Sequence, residues 1–337
     1  MRIATVLDAL SRRHLTRDET TATFTHLMSG GFADIEIAAL VAALKARGES
    51  PEEIAGAAEA LRGAARPFPR PAYTFADTCG TGGDGTGTIN ISTAVAVVVA
   101  ELGIPVAKHG NRSVSSQSGS ADVLEQLGVR LDPDPGVARR CLDEVGICFL
   151  FAPLYHSGVR HAMPVRKTLA TRTIFNLLGP LSNPSHPGFQ LLGVYDPALC
   201  VPLAVTLGLL GVESALVVHG GGLDEVALHA PTTAALWRDG QVTELELTPE
   251  EAGLRRQPIE ALRGGDPATN AGLLQAVLSG HGAAAHRDAV AFNAGALAWV
   301  AGRARTLGDG VALALDVLEA GRPAMRLADW ARLSHGA

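Results

Sequence analysis

The stretch DTCGTGGDGTGTINIST, Asp77 to Thr93, constrains the fold more than any other part of the chain. Glycines at 80, 82, 83, 85 and 87 argue against regular helix or strand across it, because glycine loses the most backbone entropy on ordering and offers no side chain to pack. A β-branched, apolar run (Tyr73 to Thr78) precedes it and a helical pattern (Ser92 to Glu101) follows, which makes it a strand-to-helix loop. Gly80, Gly82 and Gly85 satisfy the G-x-G-x-x-G spacing of a dinucleotide-binding turn. A dinucleotide site also needs an acidic residue about 20 residues on, at the end of the next strand, to take the ribose hydroxyls. Here that strand, IPVA, runs into Lys108, which has the wrong charge, and the loop is overlong. A P-loop fails because Thr86 stands where Lys-Ser/Thr is required. Two readings stay open on this stretch alone. One is a cradle of backbone amides for some other anion at a positive helix start, with Asn90, Ser92 and Thr93 adding side-chain donors or oxygens. The other is an ordinary glycine turn with Ser92 as the N-cap.

The next loop shifts the balance. KHGNRSVSSQSGSAD, Lys108 to Asp122, sets Lys108 and Arg112 among serines and an asparagine after the following strand. Two hydroxyl- and glycine-rich loops at consecutive strand ends open at the same edge of a parallel sheet, where ligands bind. Two cradles side by side suggest a ligand with phosphate at both ends. A third element, VVHGGGLDEVALHAPT, places Asp224 and Glu225 after a strand and a triple glycine. Beside polyphosphate, such carboxylates suit Mg²⁺, which prefers oxygen ligands and bridges carboxylate to phosphate. His219 and His229 are read as structural.

The surroundings fit a two-part chain of 337 residues. The first 66 residues show helical patterns only, with capping boxes at Thr16-Arg-Asp-Glu19 and Ser50-Pro-Glu-Glu53 and apolar Ile37, Leu40, Val41 and Leu44 at helical spacing. AARPFPRPAY interrupts them. Strand and helix patterns then alternate, with strands expected at Tyr73 to Thr78, Ile104 to Ala107, Ile147 to Phe151 and Ser214 to Val218, as in an α/β domain with a mostly parallel sheet. NLLGPLSNPSHPG breaks the chain around 176–188, and helices return from 267 onward. A net charge of −6 disfavours nucleic acid, so the positive partners of an anionic ligand must be local. The four cysteines match no zinc or disulfide pattern and are read as buried fillers. No apolar run approaches a membrane span and the N-terminus is no signal peptide, so a cytoplasmic location is expected.

GTGGDGTGTINIST, KHGNRSVSSQSGSADVLEQLG, RTIFNLLGPLSNP and GLDEV, in this order, resemble the signature segments of the anthranilate phosphoribosyltransferases. ALKARGESPEEIAG in the helical part is also similar, so the resemblance covers nearly the whole chain. It implies a small α-helical domain and a larger α/β domain of the nucleoside phosphorylase-like, phosphoribosyltransferase fold. The helical domain would be residues 1–68, joined by an inserted segment around 166–185. Residues 69–165 and 186–337 would form the α/β domain. It further implies a homodimer and the transfer of phosphoribose from phosphoribosyl pyrophosphate to anthranilate in tryptophan biosynthesis. Carried over residue by residue, the donor falls to Gly80, Gly83, Asp84, Thr88, Asn90, Ser92, Thr93, Lys108, Ser116 and Ser120. Mg²⁺ falls to Ser92, Asp224 and Glu225, and anthranilate to Gly80, Asn111 and Arg166, with Arg166 on its carboxylate.

Breaking a glycosidic carbon–oxygen bond leaves an oxocarbenium-like ribose, and the nucleophile is an amine that needs no prior deprotonation. Positioning and electrostatics are therefore expected to dominate, with no catalytic nucleophile in the chain. The sequence departs from the resemblance on the acceptor side, with HSGVRHAMPVR (His156 to Arg166) where the family commonly has HPAMRHVAPVR. Proline and alanine are thus lost at Ser157 and Gly158, which predicts a looser acceptor wall. Two other readings stand beside the main one: a relative acting on another aromatic acceptor, and a non-catalytic nucleic-acid-binding relative, against which the intact carboxylates and the negative charge argue.

Overall fold

The computed structural model describes residues 1–113 and 117–336. Before the proline interruption the chain forms α1 (Ile3–Leu10), α2 (Arg17–Met28), α3 (Asp34–Arg47) and α4 (Pro51–Gly63). Thr16 and Ser50 start α2 and α4 through complete capping boxes with Glu19 and Glu53, so two otherwise orphaned amides are satisfied at each start. The expected stripe Ile37, Leu40, Val41 and Leu44 is the buried face of α3.

The α/β part continues with β1 (Ala76–Gly80), α5 (Ile91–Glu101), β2 (Val106–Gly110), α6 (Ser120–Gln126), α7 (Pro135–Val145), β3 (Ile147–Phe151) and the short α8 (Ala152–Tyr155). A 3₁₀ turn, Ser157–Ala162, leads into α9 (Met163–Leu169) and α10 (Phe175–Leu181). Then come β4 (Phe189–Gly193), α11 (Cys200–Leu209), β5 (Ser214–His219), β6 (Thr232–Arg238) and β7 (Gln241–Leu247). The C-terminal part is helical: α12 (Pro267–Leu278), α13 (Ala284–Val300), α14 (Leu307–Glu319) and α15 (Arg322–Ser334). The strands form one sheet in the order β3-β2-β1-β4-β5-β6-β7. β1 to β5 are parallel, and β6 and β7 close the edge antiparallel.

Three strand boundaries differ from expectation, β5 only by one residue, since it ends at His219. β1 begins at Ala76, not Tyr73, and β2 runs from Val106 to Gly110, so Lys108 is a strand residue and not part of the loop after it. β4, β6 and β7 were not anticipated. Because side chains alternate across a strand, the sheet feeds two cores. Leu191, Leu216, Val218 and Ala234 face α5 and α13, whereas Leu192, Val194, Ala215, Val217 and Ala235 pack with α11 and the N-terminal helices. Val165 of α9 and Phe175, Leu177, Leu178 and Leu181 of α10 belong to this second core. The segment that follows β3 therefore crosses to the helical side before the chain returns as β4.

Candidate active site

In the order 3-2-1-4-5 the chain direction of strand addition reverses between β1 and β4, and ligands bind outside the carboxyl ends of strands at such a switch point. The loops after β1, β2 and β5 meet there. Gly80 ends β1 and Gly193 ends β4, and a side chain at either would collide with Asp224. Glycine is required at both strand ends because the Asp224 loop seats directly on them.

Past Gly80 the loop turns through positive φ at Gly82, Gly83, Gly85 and Gly87. Successive reversals of this kind aim backbone amides inward as an anion nest. The Gly82 amide donates to Asp224 Oδ2 at 2.6 Å, and Asp84 accepts from Thr86 through both its amide and its hydroxyl. Thr88 pairs with Arg263 in an antiparallel bridge, and Gly264 donates to the Gly87 carbonyl. Asn90 is the N-cap residue of α5, which excludes Ser92 from that role. The Asn90 amide nitrogen donates to the Ser118 carbonyl at 3.1 Å, and its oxygen accepts from Asn270 at 2.8 Å, which joins two loops to the start of α12.

Ser92 stands in the first turn of α5, where its amide donates to Glu225 Oε1 at 3.2 Å and its hydroxyl accepts from Lys108 Nζ at 3.2 Å. Lys108 also donates to the Thr78 carbonyl. It is 2% exposed, so its ammonium is a fixed charge under the site and not a mobile loop cation. Thr93 is buried and its hydroxyl finds no partner among the described residues. Asn111 and Ser120 meet at the next loop, where Ser120 Oγ donates to the Asn111 carbonyl at 3.3 Å. Ser116 lies outside the described residues.

Burial raises the pKa of Asp224, and neighbouring Asp84 raises it further; burial and then Asp224 do the same to Glu225. Lys108 offsets part of the shift at Glu225, and a bound cation would favour the ionised form of both carboxylates further. Among the described residues no cluster of three or more His, Cys, Asp or Glu side chains has the geometry to hold a metal unaided. The all-oxygen set Ser92, Asp224 and Glu225 instead fits Mg²⁺, which is commonly held by one or two carboxylates and completed by water and substrate phosphate.

Sequence reasoning passed over several residues of this site. Asp77, fully buried within β1, accepts from the His109 amide at 3.3 Å and from Asn183 at 2.9 Å, with Lys108 as its nearby cation. An acid inside an apolar strand was the available signal. His109 Nδ1 approaches the Gly179 carbonyl at 3.2 Å, so the ring carries its proton there. Its ring meets His156 edge-on at 5.1 Å. Burial, with His156 second, pulls the pKa of His109 down to about 3, and burial lowers His156 to about 4. Both rings are neutral near pH 7.

Arg166, on α9, stacks over Phe175 with its guanidinium carbon 5.5 Å from the ring centre. Burial alone lowers its pKa, and no acidic side chain among the described residues pairs with it. The half-buried charge is open to an external carboxylate. The looser wall expected at 157–163 is only partly present. A Cβ on Gly158 would lie 2.8 Å from the Met28 carbonyl, so the backbone is tight against α2 there. Ala162 is buried in the helical core and Val159 packs against it, whereas Met163 is half exposed.

Two family models match the chain: the helical bundle domain of a glycosyl transferase family over residues 3–65, and its a/b domain over residues 72–324. An anthranilate phosphoribosyltransferase of Sorangium cellulosum is 63% identical across 98% of this chain and 95% of its own length. That of Aeromonas hydrophila is 54% identical across 95% of this chain and 94% of its own. Among solved structures, the anthranilate phosphoribosyltransferase of Thermus thermophilus superposes with a TM-score of 0.94 at 42% identity, covering 99% of this chain and 100% of that one. The Saccharomyces cerevisiae enzyme, in complex with phosphoribosyl pyrophosphate and Mg, gives 0.90 at 26% identity over 99% and 98% of the two chains.

Proposed function

The chain belongs to the anthranilate phosphoribosyltransferase family, and from that premise we propose how its residues divide the reaction. It is a glycosyltransferase that moves the phosphoribosyl group of phosphoribosyl pyrophosphate to anthranilate, with release of pyrophosphate. The observation that carries the assignment of roles is the meeting of an amide nest, a buried lysine and two charge-strained carboxylates at the β1/β4 switch point.

In this reading Gly80, Gly83, Asp84, Thr88, Asn90, Ser92, Thr93, Lys108, Ser116 and Ser120 receive the donor. The amides of the glycine loop face its anionic oxygens, and Asn90 locks the loops into one wall. Mg²⁺ held by Ser92, Asp224 and Glu225 would neutralise charge on the departing pyrophosphate. Lys108 gives a fixed positive charge below it. Gly80, Asn111 and Arg166 hold anthranilate, with the guanidinium of Arg166, which has no acidic partner among the described residues, on the carboxylate. The amine lone pair forms the bond to the ribose C1 as the C1–oxygen bond to pyrophosphate breaks, so no side chain needs to act as nucleophile.

The same reading divides the chain into a helical domain of residues 1–68 with an inserted segment around 166–185, and an α/β domain of residues 69–165 and 186–337. The packing of α9 and α10 into the helical core supports it. A homodimer through the helical domain gives a partner to Ile35 of α3, an apolar side chain 80% exposed in the single chain. Four unpaired cysteines suit a reducing compartment such as the cytoplasm.

Mixing the protein with phosphoribosyl pyrophosphate, Mg²⁺ and anthranilate and following anthranilate fluorescence tests the whole assignment. Fluorescence should fall only when all three are present and stop falling with excess chelator. Loss without metal would overturn the carboxylate assignment, and no loss with any acceptor concentration would overturn the acceptor.

A further inference from the structure

Six residues beyond Arg166, the turn between α9 and α10 carries Arg172 across to the donor loop. Its Nη2 donates to the Gly83 carbonyl at 2.7 Å. The guanidinium lies flat enough on Tyr195 to bring its carbon within 3.8 Å of the ring centre. Tyr195 follows β4, and its amide donates to Thr81 Oγ1 at 3.1 Å, while the Thr81 amide donates to the Gly193 carbonyl at 2.9 Å. The first residues of the glycine loop are thus fastened to the end of β4 from two sides, by the amide and hydroxyl of Thr81 and by an arginine on a tyrosine platform at Gly83. Arg172 forms no ion pair with any described carboxylate, so its charge is not committed to another structural partner.

We propose that Arg172 is a positioning residue for the donor loop: stacked on Tyr195, it fixes the Gly83 peptide so that the following amide is presented to the donor. The peptide is planar and trans, so the Gly83 carbonyl and the Asp84 N–H point in opposite directions. Drawing the carbonyl outward to Arg172 turns that N–H away from Arg172. Gly83 sits at φ +79°, and without a Cβ its peptide is free to flip, which is why an external hold matters at this position. Because Arg172 arrives on the inserted segment that also carries Arg166, the device ties the loop that receives the donor to the helices that receive the acceptor.

The inference rests on the proposed function, and its test separates the two. Arg172→Leu should raise KM for phosphoribosyl pyrophosphate roughly tenfold or more, the range expected for a lost charged hydrogen bond, with KM for anthranilate within about threefold of the parent. Arg172→Lys keeps the charge but not the planar stack, and should fall between the two. Tyr195→Ala should raise the donor KM in the same direction by a smaller factor. Amide hydrogen exchange without any ligand gives an independent reading: Thr81 and Gly82 should exchange faster in Arg172→Leu, with α13 unchanged. Unaltered donor KM together with unaltered exchange would overturn the proposal, as would an equal rise in both KM values. If the parent protein bound phosphoribosyl pyrophosphate with Mg²⁺ in calorimetry yet left anthranilate unreacted, the acceptor reading would fail. The donor affinity of the variants would still decide the role of Arg172.

Discussion

The donor edge and the acceptor segment meet at one cleft but are built in opposite ways. At the donor edge the chain supplies backbone amides, a buried ammonium and two carboxylates whose pKa values are raised by burial and by a neighbouring carboxylate, Asp84 for Asp224 and Asp224 for Glu225. The acceptor side, on α9, α10 and the 3₁₀ turn before them, carries Arg160, Arg166 and Lys167, of which Arg166 is half-buried without an acidic partner among the described residues. The neutral His109 of β2 lies against α10, and the neutral His156 just precedes the turn. Both signs of charge are gathered at the donor edge, whereas the acceptor segment from Ser157 to Leu181 carries only cations, as suits a carboxylate-bearing acceptor. Partial burial of Arg166 strengthens an ionic contact made there, because less water competes for the guanidinium.

The largest effect should come from the donor edge. Asp224→Asn with Glu225→Gln keeps shape while removing charge, and should lower turnover on the order of 10³-fold or more. Thermal stability should not fall, since both carboxylates are held above their ordinary pKa by their surroundings. A destabilised double variant in a melting experiment would show the pair to be structural.

Next come the two cations. Arg166→Ala should raise the anthranilate KM by about 10- to 100-fold, as a charged hydrogen bond of about 1.5–3 kcal/mol implies, with little change in Tm. Lys108→Met should weaken the donor and also lower stability by ~1–3 kcal/mol, because the Thr78 carbonyl loses its donor. If Arg166→Ala moved only the donor constant, the division between the two sides would be wrong.

A smaller effect is expected from Gly158→Ala, which restores a residue common in the family. The added Cβ meets the Met28 carbonyl, so about 1–3 kcal/mol of stability should be lost to overpacking. An unchanged melting temperature would show that the wall is loose after all.

The smallest concerns pH. In the unfolded chain a histidine takes up a proton near pH 6.5, whereas buried His109 does so only at about 3. Between these values the unfolded state binds more protons, so stability falls as pH drops through the window. His109→Gln should flatten the dependence of Tm on pH between about 6.5 and 4. An equally steep slope in the variant would place the acid sensitivity elsewhere.

The sequence alone determined what depends on local chemistry. Capping boxes at Thr16 and Ser50, the apolar stripe of α3 and the glycine loop with its strand and helix were all legible, because hydrogen bonds and steric freedom within a few residues decide them. The signature segments carried the family. Tertiary structure alone decided what depends on distant partners. Lys108 belongs to a strand and is buried because Thr78 and Ser92 are there to receive its ammonium. Strand β4 enters beside β1 although more than 100 residues separate Ala76 from Phe189, and its arrival creates the switch point. Gly80 and Gly193 are glycines for the sake of Asp224, and Arg172 finds Gly83 only once α10 has folded against the helical core. None of these pairings leaves a local trace, since each side chain satisfies a group that the chain brings near only when both cores close.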